Sequence, residues 1–366
     1  MCQQDIKSMT HKIVHLVYSF GCGGLEKVIA NLINFSENYS VEHIIVSLTD
    51  ETAMMEQLNH PVKLVVLDKQ PGNDLSSHLK LYQLLTQLKP HTIQTYNFGT
   101  IEYHLTAAFA RVPVRVHSDH GRGGDDPHGK NRLHNYFRKW VAHFIHHYVV
   151  VSDDLYRWVT EQLKIPKAKV TLMFNGVAIP ELKPTKHHEL TQFVTVGRLD
   201  KVKNQQLLID AFALARSQLG LTSAELVIVG DGPLYDALAE QIEALNMSAS
   251  ITLLGYRTDI IEILMNADVF VLSSVYEAMP MTILEAISVK TPVICTNVGG
   301  VAQFVNEQQV QLVESNNALA LAQAMVQTVN EPAATQQRVE AAHQLLVEQY
   351  SVTQMVQQYL TLYHVL

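Results

Sequence analysis

Short runs dense in Val, Ile, Leu and Thr alternate with longer stretches of helical periodicity along the whole chain. In the first half the runs are IVHLVYS (13–19), HIIVSL (43–48), VKLVVL (62–67), TIQTYN (92–97), VRVHS (114–118), HYVVVS (147–152) and VTLMFN (170–175). Apolar runs separated by amphipathic segments are what parallel strands, buried on both faces and joined by crossover helices, require. A second set, FVTVG, LVIVG, ITLLG, VFVLS, PVICT and QLV, follows the charged, proline-bearing stretch VAIPELKPTKHHEL (177–190), which therefore reads as a linker. The tail SVTQMVQQYLTLYHVL (351–366) spaces Val352, Met355, Tyr359 and Leu362 as an amphipathic helix. The pattern predicts an α/β protein of two Rossmann-like domains facing each other across a cleft. The expected bounds are 1–178, 179–350 and a helix over 351–366 that packs on a domain, with a return to the first as one arrangement.

Composition narrows the classes. With 366 residues and 47% hydrophobic content the chain can build two cores. A net charge of -8, with basic residues spread thinly, gives no footprint for nucleic acid. Cys2, Cys22 and Cys295 are far apart and form no CxxC, which predicts a reducing compartment such as the cytoplasm. MCQQDIKSMTHK lacks an apolar signal core and no apolar run approaches membrane-spanning length, so any membrane contact is expected to be peripheral.

The candidate chemistry lies where runs give way to helices. SFGCGGLEKV (19–28) places Gly21, Gly23 and Gly24 before a helix whose N-terminus favours phosphate, although a bare structural turn explains these glycines equally well. It lacks the third glycine of the dinucleotide pattern at its proper offset, which argues against a nicotinamide enzyme. In FVTVGRLDKVKNQQLLIDAF (193–212), Arg198 and Lys203 flank a strand-to-helix turn, where they suit a diphosphate or are merely solvated charges. No DxD triplet sits at a strand end, so a metal-held diphosphate is not indicated. LVIVGDGPLYDAL (226–238) reads as structural, with Pro233 in the first helical turn. Gly255, Tyr256 and Arg257 fall at the next strand end, where a nucleotide base or nothing at all is met.

SSVYEAMPMTILEAI (273–287) carries Glu277 and Glu285, with a helix expected over 281–288. An ideal helix over the eight positions between them would separate the two by roughly 12 Å and about 80°. Carboxylates that attack one glycosidic bond stand about 5 to 10 Å apart on opposite sides of it. The pair is thus better placed to grip two ends of a long ligand, unless both are ordinary helix-end charges. In HSDHGRGGDDPHG (117–129), Asp119 or His120 can reach a reacting sugar, or remain solvated. His143, His146 and His147 are read onto one helical face, which raises a metal, but no carboxylate or cysteine accompanies them. KNRLHNYFRKWVAHFI (130–145) interleaves basic residues with Leu133, Phe137, Trp140, Val141 and Phe144, a helix that either covers the sheet or lies on anionic lipid.

Taken in order, GCGGLEKV, HSDHGR, VGRLDKVKN, LVIVGDGP, LLGYRTDI, VYEAMPMTILEA and TPVICTNVGG resemble the group 1 glycosyltransferases, also called family 4. VHLVYSFGCGGLE and PVRVHSDHGR are similar to bacterial sugar transferases of exosortase-associated exopolysaccharide systems. The resemblance implies a GT-B fold, a UDP- or GDP-linked sugar donor, retention of anomeric configuration, no cofactor and no metal. It implies a lipid-linked or glycan acceptor, while an anionic membrane surface met through residues 130–145 is one of the two readings of that basic helix, beside covering the sheet. It assigns His120, Arg198, Lys203 and Glu277 to catalysis, with the two basic residues on the diphosphate, Glu277 on the sugar and His120 near the anomeric carbon. Donor contacts fall to Gly23, Gly24, Gly197, Arg257, Met279, Pro280, Met281, Thr282 and Glu285, the last on the ribose. Three positions depart from the family pattern: Ala278 stands where glycine is usual, Gln303 where glutamate is usual, and Ala178 where aspartate is usual. An epimerase of the same fold and a non-catalytic nucleotide-sugar-binding protein are the competing readings, the former separable by products formed without acceptor.

Overall fold

The computed structural model describes residues 10–21, 23–72, 74–122, 126, 129–182 and 191–366. Cys2, Cys22, much of the loop after His120 and residues 183–190 of the linker lie outside the described residues. The chain divides into two compact units, one of Met1–Gly176 with Val352–Leu366 and the other of Val177–Ser351.

In the first unit, β1 (His11–Val17), β2 (Val41–Ser47), β3 (Lys63–Val66), β4 (Thr92–Tyr96), β5 (Val114–Asp119), β6 (His147–Val150) and β7 (Val170–Leu172) form one sheet. Their order is β3-β2-β1-β4-β5-β6-β7, and every pairing is parallel. The connections carry α1 (Gly24–Asn34), α2 (Leu75–Leu88), α3 (Tyr103–Phe109), α4 (Arg132–Val141) and α5 (Asp153–Arg157). Period-two alternation sends Val14, Leu16, Ile44, Val46 and Ile93 against Leu81, Leu85, Tyr103 and Ala107 of α2 and α3. Val17, Ile45 and Tyr96 face Ile29, Ala30 and Ile33 of α1 on the other side.

The second unit repeats the plan with β8 (Thr191–Val196), α6 (Gln205–Gln218), β9 (Ala224–Val229), α7 (Tyr235–Ala244), β10 (Ile251–Gly255), α8 (Ile260–Asn266), β11 (Val269–Leu272), α9 (Met281–Ser288), β12 (Val293–Thr296), α10 (Val301–Phe304), β13 (Gln311–Val313), α11 (Ala318–Asn330) and α12 (Pro332–Gln349). Its parallel sheet runs β10-β9-β8-β11-β12-β13. Phe193, Leu226, Ile228 and Val271 pack with Leu208 and Phe212 of α6 and Leu321 and Met325 of α11. The last helix, α13 (Val352–Leu362), belongs to the first unit. There the Gly176 N–H meets Met355 Sδ at 3.1 Å, and the Tyr363 hydroxyl donates to Gln94 Oε1 on β4.

Three local readings are corrected. Pro233 stands in a turn ahead of α7, which begins at Tyr235, because Gly232 at φ +158 keeps the loop extended there. His143 lies in a single 3-10 turn (Ala142–Phe144) while His147 already begins β6, so the three histidines share no helical face. Among the described residues no three His, Cys, Asp or Glu side chains are grouped to hold a metal. The third concerns α4, where the basic and apolar positions are not sorted outward and inward. Arg138 is 1% exposed, whereas Leu133 and Trp140 face solvent.

Arg138 is buried because β5 ends in a buried carboxylate. Its Nε lies 3.7 Å from Asp119 Oδ2, and its guanidinium lies over Phe98 and Trp158, 4.5 and 5.0 Å from the ring centroids. The Tyr148 hydroxyl donates to the same Asp119 oxygen at 2.5 Å. Burial alone would push the Asp119 carboxyl up, but Arg138, His117 and Tyr148 outweigh it and hold it at about 2. Stability from this lowered value is complete above the unfolded value of 3.8 and is lost as pH falls through about 2. Arg138→Met strands that charge, and should cost about 3–5 kcal/mol at pH 7 and less at pH 3, where a carboxyl without its cation is already protonated. Urea unfolding read by tryptophan fluorescence checks this, since both tryptophans, Trp140 and Trp158, lie in the first unit. Equal loss at the two pH values would contradict it.

Candidate active site

Strand order decides where chemistry gathers in the second unit. The first strand, β8, has β9 on one side and β11 on the other, so the connections from β8 and β11 diverge and leave an opening at their carboxyl ends. Lys203 comes from the turn after β8 and Glu277 from the loop after β11. They meet there, with Lys203 Nζ 2.5 Å from Glu277 Oε1. Neither the pairing nor its length is local, since 74 residues separate the two.

Both loops are fixed by their own hydrogen bonds. Asp200 Oδ1 accepts from the N–H groups of Val202 and Lys203 at 2.9 and 3.0 Å, which shapes the turn that carries the lysine. Ser273 Oγ donates to the Lys203 and Asn204 carbonyls, both at 3.0 Å, and the Val275 N–H donates to the Val202 carbonyl at 2.8 Å, so the two loops are stitched together. Ser274 Oγ donates to Glu277 Oε1 at 2.7 Å, and the Gly300 N–H donates to the Glu277 carbonyl at 2.7 Å. Gly299 lies at φ +51, and a Cβ there would stand 2.0 Å from the Glu277 carbonyl oxygen, so only glycine allows the approach. Gly230 does the same for β8: a Cβ at that position would fall 2.0 Å from the Gly197 carbonyl oxygen. The GDG turn thus supports the loop of Gly197, Arg198 and Lys203 from below.

The remaining expected donor residues are placed unevenly. Arg198 extends into solvent, 3.9 Å from Asp200. Arg257 forms a two-point contact with Asp259, Nε to Oδ1 at 2.8 Å and Nη2 to Oδ2 at 2.6 Å. Met279, Pro280 and Met281 are buried ahead of and at the start of α9, and Thr282 Oγ1 is shielded from solvent without a hydrogen-bond partner. Glu285 is 6% exposed on α9. Since α9 begins only at Met281, the ideal-helix separation of Glu277 and Glu285 does not hold over their first half.

In the first unit, Gly23 is the N-cap of α1 and Gly24 its first residue, both exposed. His120 follows β5, its N–H donating to Asn97 Oδ1 at 2.8 Å and its ring 6.1 Å from that of Tyr96. Both ring nitrogens are shielded from solvent and have no hydrogen-bond partner. Burial pulls the imidazole down to about 4, so it is neutral at physiological pH. Sequence reasoning passed over Glu26. Its carboxylate folds back to the N-cap, so that a Cβ at Gly23 would lie 2.3 Å from Oε2, and Glu51 lies against Gly21 on the same turn. The signal was available in GGLE, a glutamate three positions after a helix N-cap.

Comparison with known proteins agrees with this plan. A family described as Glycosyltransferase Family 4 matches residues 22–179, and one described as Glycosyl transferases group 1 matches residues 181–345. The UDP-Gal:alpha-D-GlcNAc-diphosphoundecaprenol alpha-1,3-galactosyltransferase of Escherichia coli is 28% identical over 276 residues, 70% of this chain and 71% of that protein. The N-acetylgalactosamine-N,N'-diacetylbacillosaminyl-diphospho-undecaprenol 4-alpha-N-acetylgalactosaminyltransferase of Campylobacter jejuni is 24% identical over 86% of this chain and 89% of that one. Anabaena HepE, solved in complex with UDP and glucose, matches with a TM-score of 0.84 at 19% identity, covering 97% of this chain and 100% of that chain. The fold is therefore GT-B, with two Rossmann-like domains built on parallel sheets.

The Glu26 carboxyl gives a test on the glycine turn. Burial, with Glu51 adding to it against a bond from its own backbone, raises it from 4.5 to about 7. A raised carboxyl contributes stability that is complete below 4.5 and lost as pH rises through about 7. Glu26→Gln should therefore melt at a higher temperature than the parent at pH 8 and show no such gain at pH 4. A gain of equal size at both would show that the carboxylate is not strained at this turn.

Proposed function

The chain belongs to the group 1, family 4 glycosyltransferases, which use nucleotide-sugar donors, and from that premise we propose that it moves a hexose-type sugar, with retention, onto a lipid-linked or polysaccharide acceptor. The observation that carries the reading is the Lys203–Glu277 contact at the point where the strand order of the second sheet reverses. A cation and a carboxylate held together there offer a diphosphate its counter-charge and a sugar its hydroxyl acceptor, side by side. The proposed donor is UDP- or GDP-linked. Lys203 and Arg198 take the charge that develops on the leaving diphosphate, Glu277 turns to the sugar hydroxyls, and Glu285 takes the ribose. Gly197, Arg257, Met279, Pro280, Met281 and Thr282 complete the donor side. Gly23, Gly24 and His120 of the first unit serve the same transfer, with a neutral imidazole at the sugar.

In this proposal the acceptor oxygen bonds to the anomeric carbon on the face the diphosphate leaves, and the leaving phosphate takes the acceptor's proton, so neither a metal nor a protein nucleophile is needed. The lipid-linked acceptor is supported by the Escherichia coli and Campylobacter jejuni relatives, both named for transfer to diphosphoundecaprenol-linked sugars. A cytoplasmic setting, peripheral on the inner face of the plasma membrane through residues 130–145, and a role in cell-surface or exosortase-associated exopolysaccharide synthesis complete the proposal. Among the described residues no helix is long and apolar enough to cross a membrane.

A thermal-shift screen with UDP-, GDP-, ADP- and dTDP-sugars should return a hit for a UDP- or GDP-sugar, because a ligand that binds only the folded state raises its melting point. With that donor, Lys203→Ala and Glu277→Gln should each lower transfer by about a hundredfold or more while the folded protein persists. Transfer that is unchanged in both variants would remove these residues from the mechanism, and an isomerised nucleotide sugar formed without acceptor would point to an epimerase instead.

A further inference from the structure

The crossovers from β3 to β6 run in one direction along the first unit's sheet and place α2, α3 and α4 in a row on one of its faces, with α5 and its Asp153 and Asp154 following at the β6–β7 end. Neighbours in the row touch: His78 Nδ1 of α2 lies 2.7 Å from Thr106 Oγ1 of α3. Phe98, just ahead of α3, has its ring 4.4 Å from that of His134 on α4. The outer side of this row carries large apolar residues among polar ones such as Ser76, Gln83 and Lys139. Leu75, Leu79 and Tyr82 recur at i, i+4 and i+7 on α2, Leu133, Tyr136 and Trp140 at i, i+3 and i+7 on α4, and Phe109 closes α3. All seven are between 40% and 83% exposed. Single exposed apolar residues are ordinary, but two full stripes on helices of one row are not.

Charge selects the partner. The chain has 35 acidic residues and a net charge of -8, yet α2, α3 and α4 contain not one aspartate or glutamate. Their charged residues are Lys80, Arg132, Arg138 and Lys139, of which Arg138 is turned inward on Asp119. Lys89, Arg111 and Lys130 are exposed at the helix ends. A second copy meeting this face by two-fold symmetry would set cation mostly against cation, because the carboxylates at the helix starts, Asp74, Glu102 and Asp126, are outnumbered by Lys80, Lys89, Arg111, Lys130, Arg132 and Lys139. Leucines flanked by tyrosine, tryptophan and lysine or arginine are instead what an anionic bilayer surface accepts.

We propose that the outer face of α2, α3 and α4 is a docking surface for an anionic lipid bilayer. This rests on the peripheral-membrane reading of residues 130–145 and extends it to Leu75, Leu79, Tyr82 and Phe109, which that reading does not require. The test is sedimentation of the full chain with phosphatidylcholine vesicles, with and without phosphatidylglycerol. The parent should bind the anionic vesicles, and less so as salt is raised. Leu75→Ser/Leu79→Ser/Tyr82→Ser, which leaves α4 intact, should lower partitioning about tenfold or more, and Leu133→Ser/Tyr136→Ser/Trp140→Ser should do the same. Leu75→Phe/Leu79→Phe, conservative in apolar surface, should retain binding, which separates loss of contact from loss of fold. Parent-like binding by the α2 serine variant would overturn the three-helix surface and leave the 130–145 reading standing. No binding by the parent would overturn both. A parent dimer that this variant makes monomeric would give the face to self-association instead.

Discussion

A parallel sheet delivers every strand-to-helix turn of a domain to one edge, and both sheets of this chain are parallel throughout. That constraint explains why functional side chains can be scattered over the sequence and still meet. Lys203 and Glu277 are 74 positions apart, but β8 and β11 are neighbours, so their loops leave the sheet side by side. The rest of the second unit's site follows from making that meeting tight. Ser273 and Ser274 tie one loop to the other and to the carboxylate, and Gly299 and Gly230 remove the two Cβ atoms that would hold the loops apart.

The strands were legible because burial on both faces leaves little but Val, Ile and Leu in runs such as HIIVSL and LVIVG. The helix at 281–288 was legible because its apolar periodicity starts directly after a proline. What local pattern could not supply were pairings across the fold. Arg138 reads as one more cation on a basic helix until β5 is known to end in Asp119 beneath it. His143, His146 and His147 share a spacing that a helix would exploit, but a strand begins at His147, and strand propensity in HYVVV outweighs the periodicity. Lys203 and Glu277 were each singled out, yet as separate contacts to a ligand. That they contact one another comes from strand order, which no window of sequence contains.

The pairing of Lys203 with Glu277 has an energetic meaning. A lysine and a glutamate near the edge of a sheet are cheaper to bury together than apart, so their contact holds the two loops in register. In the proposed roles, a donor's diphosphate would compete with Glu277 for the Lys203 ammonium, and its sugar hydroxyls with Lys203 and Ser274 for the carboxylate. Binding of the proposed kind would favour ligands that offer both groups at once over a nucleotide or a sugar alone. The same logic of mutual satisfaction runs through the first unit, where buried His15 lies between the Tyr96 hydroxyl at 2.7 Å and His43 at 2.9 Å, and burial, first of all, keeps both imidazoles uncharged near neutrality.

The α4 helix joins two of these themes, because its two sides meet different surroundings. Outward it shows Leu133, Tyr136 and Trp140. Inward it commits Arg138 to Asp119, whose chain neighbour is His120. Had the helix carried its cation outward, as the basic pattern of residues 130–145 suggests, the Asp119 carboxylate would stand buried with only His117 and Tyr148 beside it, and burial would push it towards protonation. The inward arginine therefore fixes the helix's rotation about its own axis. Once that rotation is fixed, 3.6 residues per turn leave Leu133, Tyr136 and Trp140 no inward position. The exposed aromatic stripe and the ionised carboxylate at the end of β5 are in this sense two consequences of one choice of helix face.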